Sequence, residues 1–414
     1  MKRSFADILQ GLDTDRAQKV TRKLPAWAAV DAERRAAGLD ALEFPSALSL
    51  EQCSSTGAAL YKAGLTAPVK TVLDLTGGLG VDSWAFSQVA EQVVYYERNA
   101  ELAAAAERNF ARLGAENIEV RREEVTPQSD LPEAGLIFAD PARRDTAGRK
   151  VVLLEDCTPD ILTLLPLLLR KAPAVLLKLS PMADLAMLAG RLGPALREIH
   201  VVESEGEVKE LLCLLCRQSD FRTTSEEPKI VVVRLQGGDS GSQSGMTGKG
   251  PSTFSFFHPE EREADAVYAA GVQAGDMLLE PCPALLKAGA FKLPCARWGL
   301  HKLAPSTHLY LAPVLPGTKT TPDVPGTALP DGAGTWFKAR RVVEVLPFGA
   351  AAFKALRRRY PRAEVTARNL PLGSDALRQK LGTAPGGDIH IFGCRLADGS
   401  AVLLVAAAAG RTHA

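Results

Sequence analysis

Val72-Leu73-Asp74-Leu75-Thr76-Gly77-Gly78-Leu79-Gly80 is the stretch on which the reading of this chain turns. An apolar run ends in an acid and enters a glycine turn, and Val81, Ala85 and Val89 then recur at helical spacing. Glycine lets a backbone turn this tightly and approach a ligand closely. The next apolar run, Val93 to Tyr96, stops at Glu97, 19 residues after Gly78. A carboxylate at that place can accept both hydroxyls of a ribose. Glycine loop and strand-end acid together indicate an adenosine-type cofactor.

NAD and S-adenosylmethionine (SAM) sites share this layout. The dinucleotide fingerprint wants a third glycine where this chain has Ser83. An acid at Asp74 suits the cationic methionine part of SAM better than a pyrophosphate.

Outward from the loop, short apolar runs alternate with helical segments. The runs are Thr71 to Leu75, Val93 to Tyr96, Ile118 to Arg121, Leu136 to Ala139 and Val175 to Leu179. Such alternation signals a parallel α/β sheet. Leu102, Ala106, Phe110 and Leu113 share one helical face, and Thr158-Pro159-Asp160 supplies a helix start. Ile199 to Glu203, Glu210 to Cys216 and Ile230 to Leu235 follow with little helix between the last two, so the sheet is expected to end in antiparallel strands. These eight runs are one more than a seven-stranded sheet needs.

Upstream, residues 1–68 read as a helical cap, with Leu24, Trp27, Val30 and Arg34 three or four apart. Residues 69–236 form the α/β domain, and 237–252, rich in Gly and Ser, reads as a linker. A small region, 253–335, and a basic α+β module, 336–414, complete the expected organisation.

Composition limits the classes. With 414 residues, 46% hydrophobic and 23% charged, the chain has the usage of a globular protein, which excludes disorder, coiled coil and collagen. A net charge of +1 gives no global argument for nucleic acid or membrane. The start carries Lys2, Arg3 and Asp7 instead of an apolar signal core, and no apolar run reaches the ~18 residues of a membrane span. The expected location is cytoplasmic, with no membrane partner. Seven cysteines without framework spacing fit a reducing compartment. Cys213 and Cys216, three apart in an extended run, point to opposite faces, so no metal site is expected there. His301 and His308 flank a Pro-containing turn and read as surface or structural residues. The oligomeric state is not legible.

After the fourth run comes Phe138-Ala139-Asp140-Pro141-Ala142-Arg143-Arg144-Asp145. Open α/β sheets bind substrates at this carboxyl edge. Asp140 can accept from an exocyclic amine and the Pro141 carbonyl can accept again, holding a nitrogen in line with a methyl group. Lys178 and Ser180, ending the fifth run, share that edge and are candidate substrate contacts.

Taken together, these residues resemble class I SAM-dependent methyltransferases that carry a small ferredoxin-like insert and a C-terminal THUMP-like domain. The resemblance spans most of the chain. It rests on Glu51 to Ser55 (EQCSS), Asp74 to Asp82 (DLTGGLGVD), Tyr96 to Asn99 (YERN), Asp140 to Arg144 (DPARR), Lys178 to Leu185 (KLSPMADL) and Gly206 to Leu212 (GEVKELL). It continues through Glu280 to Phe291 (EPCPALLKAGAF), Lys302 to Tyr310 (KLAPSTHLY), Ala367 to Gly382 and Gly386 to Arg395 (GGDIHIFGCR). It implies a Rossmann-like methyltransferase sheet with an N-terminal helical cap. By the same resemblance, Asp74, Thr76, Gly78 and Gly80 would cradle the methionine of SAM, Glu97 its ribose and Glu124 its adenine amine. Asp140 and Pro141 match the catalytic loop that many amino-methyltransferases write Asp/Asn-Pro-Pro-aromatic. Ala142 and Arg143 replace its last two residues, and an arginine plane can stack on a base or contact phosphate.

Between Lys338 and Arg368 stand nine basic residues against two acidic ones, interleaved with Phe353 and Tyr360. Phosphate neutralisation beside stacking surfaces is compatible with RNA, and Arg357, Arg358 and Arg359 are the expected contacts. THUMP domains proper bind structured RNA, which points the same way. The expected activity is methylation of a base nitrogen in rRNA or tRNA. The alternatives are a small-molecule or protein acceptor, or a non-catalytic RNA-binding scaffold.

Overall fold

The computed structural model describes Ile8 and residues 14–143, 154–217, 227–235, 250–313 and 329–408. Arg144 and Asp145, the side chain of Arg143, and most of the glycine- and serine-rich linker lie outside the described residues. The chain divides into two compact units, Met1–Ser255 and Phe256–Ala414. No helix among the described residues is long and apolar enough to cross a membrane.

The first unit is built on a nine-stranded sheet. Its strands are β1 (Val69–Asp74), β2 (Ala90–Tyr96), β3 (Ile118–Arg121), β4 (Leu136–Ala139), β7 (Ala174–Leu179), β8 (Leu196–Ser204), β9 (Glu207–Cys216), β10 (Lys229–Arg234) and β11 (Ser252–Phe257). The pairs β5 (Ala142–Arg143) and β6 (Cys157–Thr158) form a separate two-stranded ribbon. The sheet order is β11-β10-β8-β9-β7-β4-β1-β2-β3. The expected runs are all strands, but β10 runs parallel to β8, whereas β9 is antiparallel to both its neighbours. The strand Ser252–Phe257, which lacked a helix-strand alternation to reveal it, makes the ninth.

β4 is buried at every position, as a central strand covered on both faces must be. Before β1, helices Thr14–Lys23, Pro25–Ala36, Ala47–Gln52 and Thr56–Thr66 form the expected helical region. Ser46 and Ser55 cap the last two by accepting the N–H groups of Ser49 and Ala58, each cap worth about 1 kcal/mol. Trp27, fully buried, packs edge-on to Trp84 and tilts against Phe44 in the same core as Phe86 and Phe138. Asn109, on the Ala100–Arg112 helix, exchanges two hydrogen bonds with the Glu43 backbone, and Arg108 and Arg112 clasp the Glu43 carboxylate.

In the second unit, β12 (Met277–Pro281), β13 (His301–Ala304), β14 (Thr307–Leu311), β15 (Phe337–Pro347), β16 (Glu364–Arg368), β17 (Ile389–Arg395) and β18 (Ala401–Ala408) form one sheet, ordered β13-β14-β12-β15-β18-β17-β16. β18 shows the strand period directly. Leu403, Val405 and Ala407 join a core under helices Ala350–Arg359 and Ser374–Leu381, while Val402, Leu404 and Ala406 join Leu278, Leu309 and Phe392 on the other face.

Candidate active site

β1 delivers Asp74 to the sheet edge, wholly buried. One carboxylate oxygen accepts the Thr76 N–H at 3.1 Å and the other the Ser83 hydroxyl at 2.6 Å. Burial pushes its pKa up to about 7, with the nearby charges of Asp82 and Asp140 adding to the rise.

The glycine loop is tight for reasons visible atom by atom. A Cβ on Gly77 would lie 2.0 Å from the Tyr95 ring, and one on Gly80, at φ +83°, would lie 2.4 Å from the Phe110 ring. Tyr95 donates its hydroxyl to the Gly78 carbonyl at 2.5 Å. At Gly78, φ +56°, a Cβ would touch the Thr76 carbonyl oxygen at an ordinary 3.8 Å, with room left around it. The Gly78 N–H is held by Glu97 Oε2 at 3.0 Å, while Glu97 Oε1 accepts the Asn99 N–H at 2.8 Å. Each carboxylate oxygen keeps a further lone pair for a ligand hydroxyl. Open backbone at Gly78 beside an acceptor carboxylate fits the ribose and methionine ends of SAM. Glu124 lies just past β3, exposed, paired with Arg98 at 3.2 Å.

Thr76 joins this loop to the next. Its Oγ1 accepts the Asp140 N–H at 2.6 Å. Ala139 on β4 pairs with Leu177 on β7, which sets Asp140 beside Lys178, and the two side chains form an ion pair. Burial lowers the Lys178 pKa, but the carboxylates of Asp140, Glu210 and Asp82 outweigh it and raise the pKa overall, so the ammonium stays charged. Ser180 Oγ accepts the Met182 N–H at 3.2 Å in the turn after β7. Pro141 is buried.

Sequence reasoning missed a set of buried charges directly beneath this edge. Lys62, fully buried on the Thr56–Thr66 helix, binds Asp82 at 2.9 Å, Glu210 at 3.2 Å and the Ser54 hydroxyl at 2.9 Å. Ser54 in turn donates to Asp82 at 2.7 Å. Burial would raise Asp82, yet the charges of Lys62 and Lys178 and the bonds from Ser54 and Lys62 hold it below the ordinary carboxylate range. These four residues come from the EQCSS segment, the helix after it, DLTGGLGVD and GEVKELL. The available signal was a lysine flanked by Ala58, Ala59 and Ala63, on the face of the helix that should be apolar.

The arginine cluster carries bonds of its own within the fold. Arg357 donates to the carbonyls of Leu381 at 3.0 Å and Lys380 at 3.4 Å, closing the end of the Ser374–Leu381 helix. Arg359 pairs with Glu344 at 2.8 Å. All three arginines are exposed, Arg357 and Arg359 while bonded within the fold. Among the described residues no group of His, Cys, Asp or Glu could hold a metal ion.

A Rossmann-like sheet with a glycine loop after β1 and an Asp-Pro loop after β4 defines the class I methyltransferase fold. Models of a ferredoxin-like domain and a THUMP domain-like region match residues 278–317 and 335–408. The structure of a Porphyromonas gingivalis W83 protein assigned as a methyltransferase is 32% identical, over 98% of this chain and 95% of that one, with a TM-score of 0.73. This chain belongs to that family, class I methyltransferases with a ferredoxin-like segment and a THUMP-like C-terminus. The tRNA (m1A58) methyltransferase TrmI from Aquifex aeolicus is 19% identical over 34% of this chain and 52% of that one, with a TM-score of 0.27. A Streptococcus mutans protein solved with S-adenosylhomocysteine (SAH) is 9% identical over 38% and 94%, with a TM-score of 0.29. No curated protein matches the chain.

Proposed function

We propose that the protein is a SAM-dependent methyltransferase that modifies a base nitrogen of RNA by direct in-line transfer. The observation that carries this is the Asp140-Pro141 loop, hung from Thr76 of the glycine loop and ion-paired to Lys178. Asp74, Thr76, Gly78 and Gly80 would hold the methionine part of SAM and Glu97 the ribose, with Glu124 as the adenine contact. When bound, SAM supplies a methyl group already activated by its sulfonium charge.

The chain's own residues then have alignment as their main task. Lys178 occupies Oδ2 of Asp140, which leaves Oδ1 to accept from an amine N–H. The Pro141 carbonyl accepts the second N–H, so the nitrogen lone pair is aimed while its protons are fixed. Arg143 and Ser180 are the proposed further contacts to the acceptor. The acceptor class rests on the THUMP-like match and on the basic content of residues 338–368.

Calorimetric titration of SAM and SAH, with Glu97→Ala as control, tests the cofactor. Saturable binding that the variant loses supports the reading. Transfer of labelled methyl from SAM to cellular RNA fractions, abolished in Asp140→Ala with SAM affinity nearly intact, tests the chemistry. Absence of SAM binding to folded protein, or transfer unaffected by Asp140→Ala, would overturn it.

A further inference from the structure

Motifs from four separate parts of the second unit converge on one charged and aromatic cluster. Asn369, after β16, donates to Thr307 on β14 at 3.3 Å, and Thr307 donates to the Arg395 carbonyl on β17 at 2.7 Å. β14 and β16 lie near opposite ends of the sheet order, so the sheet curls until these ends meet. Asn369 has φ +55°, a left-handed backbone that this junction holds.

Glu280 of β12 sits at the centre. Arg340 Nη1 reaches it at 3.1 Å and Arg368 Nη2 at 3.4 Å, and Lys338 is its cross-strand neighbour. Arg340 also lies over Phe392, on which His390 stacks at 4.0 Å with the rings 5° from parallel. A second stack, His308 on Phe291 at 3.9 Å, has Lys302 over its outer ring. Among the described residues, Lys338, Arg340 and Arg368 thus share the one carboxylate of Glu280, and an excess of cation in a half-buried setting calls for an anion.

The polar accounting agrees. Among the described residues, His308 Nδ1, His390 Nδ1 and Arg368 Nε are buried without hydrogen-bond partners, while His390 Nε2 is bonded to the Thr366 hydroxyl at 2.7 Å. Burial pushes His390 down to about 3, helped by Arg340, Lys338 and Arg368, and His308 down to about 4, helped by Lys302 and Arg368. A neutral imidazole has one donor and one acceptor nitrogen, and at His390 the Thr366 hydroxyl takes Nε2, leaving Nδ1.

We propose that this cluster binds a phosphate-bearing nucleotide of single-stranded RNA, Arg340 and Arg368 taking the phosphate and the half-exposed His308 and His390 rings the base. Guanidinium pairs suit phosphate oxygens, and planar rings beside them suit a base and not a peptide or lipid chain. The proposal rests on the RNA reading above and adds, to the Arg357 to Arg359 helix, a second RNA contact on the curled sheet.

Fluorescence anisotropy of a labelled eight-nucleotide single-stranded RNA on the full chain tests it. Arg368→Gln should weaken binding roughly tenfold or more and lower the slope of log K against log salt by about one. Glu280→Gln, which removes the competing carboxylate, should strengthen binding several-fold, an opposite sign that loss of folding cannot mimic. AMP should compete and adenosine should not. Wild-type affinity in both variants, or competition by a phosphoserine peptide equal to that of AMP, would overturn the proposal. Labelled-methyl transfer separates the two readings. RNA methylated without these binding effects sinks the site alone, whereas binding effects without methylated RNA sink the enzymatic reading alone.

Discussion

Replacing Lys62 by Met removes the cation that, among the described residues, touches both Asp82 and Glu210. The side chains of Lys62, Asp82 and Glu210 are 0%, 12% and 4% exposed, so water cannot take the lost partner's place. Breaking such a buried group by removing one member costs about 3–5 kcal/mol, because the charge left behind stays desolvated. For a unit of this size that is a fall in melting temperature on the order of 10 °C. The deficit should depend on pH with a definite sign. In the wild type, Lys62 holds the folded-state pKa of Asp82 below its value of 3.8 in the unfolded chain. That contribution is present above the unfolded pKa and is lost as pH falls through the folded one. Without Lys62, burial makes Asp82 bind its proton more tightly when folded, so the deficit should shrink as pH drops from about 8 to about 5. Urea unfolding followed by tryptophan fluorescence at both pH values measures this. Adding Asp82→Asn and Glu210→Gln to Lys62→Met should recover most of the loss. A loss below about 1 kcal/mol, or one equal at the two pH values, would refute the reasoning.

Three further outcomes follow from the same geometry. Asp74 carries a folded pKa of about 7, so its contribution to stability is full below the unfolded value of 3.8 and is lost as pH rises toward 7. Asp74→Asn should flatten that limb of the stability profile, which chemical denaturation across pH reads out. Gly77→Ala drives a methyl group to 2.0 Å from the Tyr95 ring, and should cost about 1–3 kcal/mol and weaken SAM binding by calorimetry. Arg357→Ala removes the bonds to Leu381 and Lys380 and should cost about 1 kcal/mol in thermal melting, whereas Arg358→Ala should leave melting unchanged.

Much of the first unit was legible because its signals are local. A strand, a glycine turn and a helix lie within Val69 to Ser87, and the turn's steric demands appear as glycines. Asp140 was legible for the same reason, since a proline after a strand-end acid marks a sheet edge. Lys62 was not, because its meaning depends on carboxylates 20 and 148 residues away that only the folded sheet brings near. Arg357 to Arg359 show the opposite case, a run whose charge is legible but whose partners within the fold are not. A run of like charges reads as one surface, but successive helical positions point 100° apart, and the two outer members find partners on different elements.

The hydroxyl of Thr76 has one more consequence. It ties the amide of Asp140 to the loop proposed to hold the cofactor, with Thr76's own N–H anchored to Asp74. A ligand that displaces residue 76 would therefore act on the Asp140 loop, and under the proposed reading reciprocity would make acceptor and cofactor change each other's affinity by the same factor. A residue without a side-chain acceptor at this position would keep the anchor to Asp74, which uses backbone, and lose the one to Asp140. The link between the two proposed ligand loops is thus carried by a single side chain.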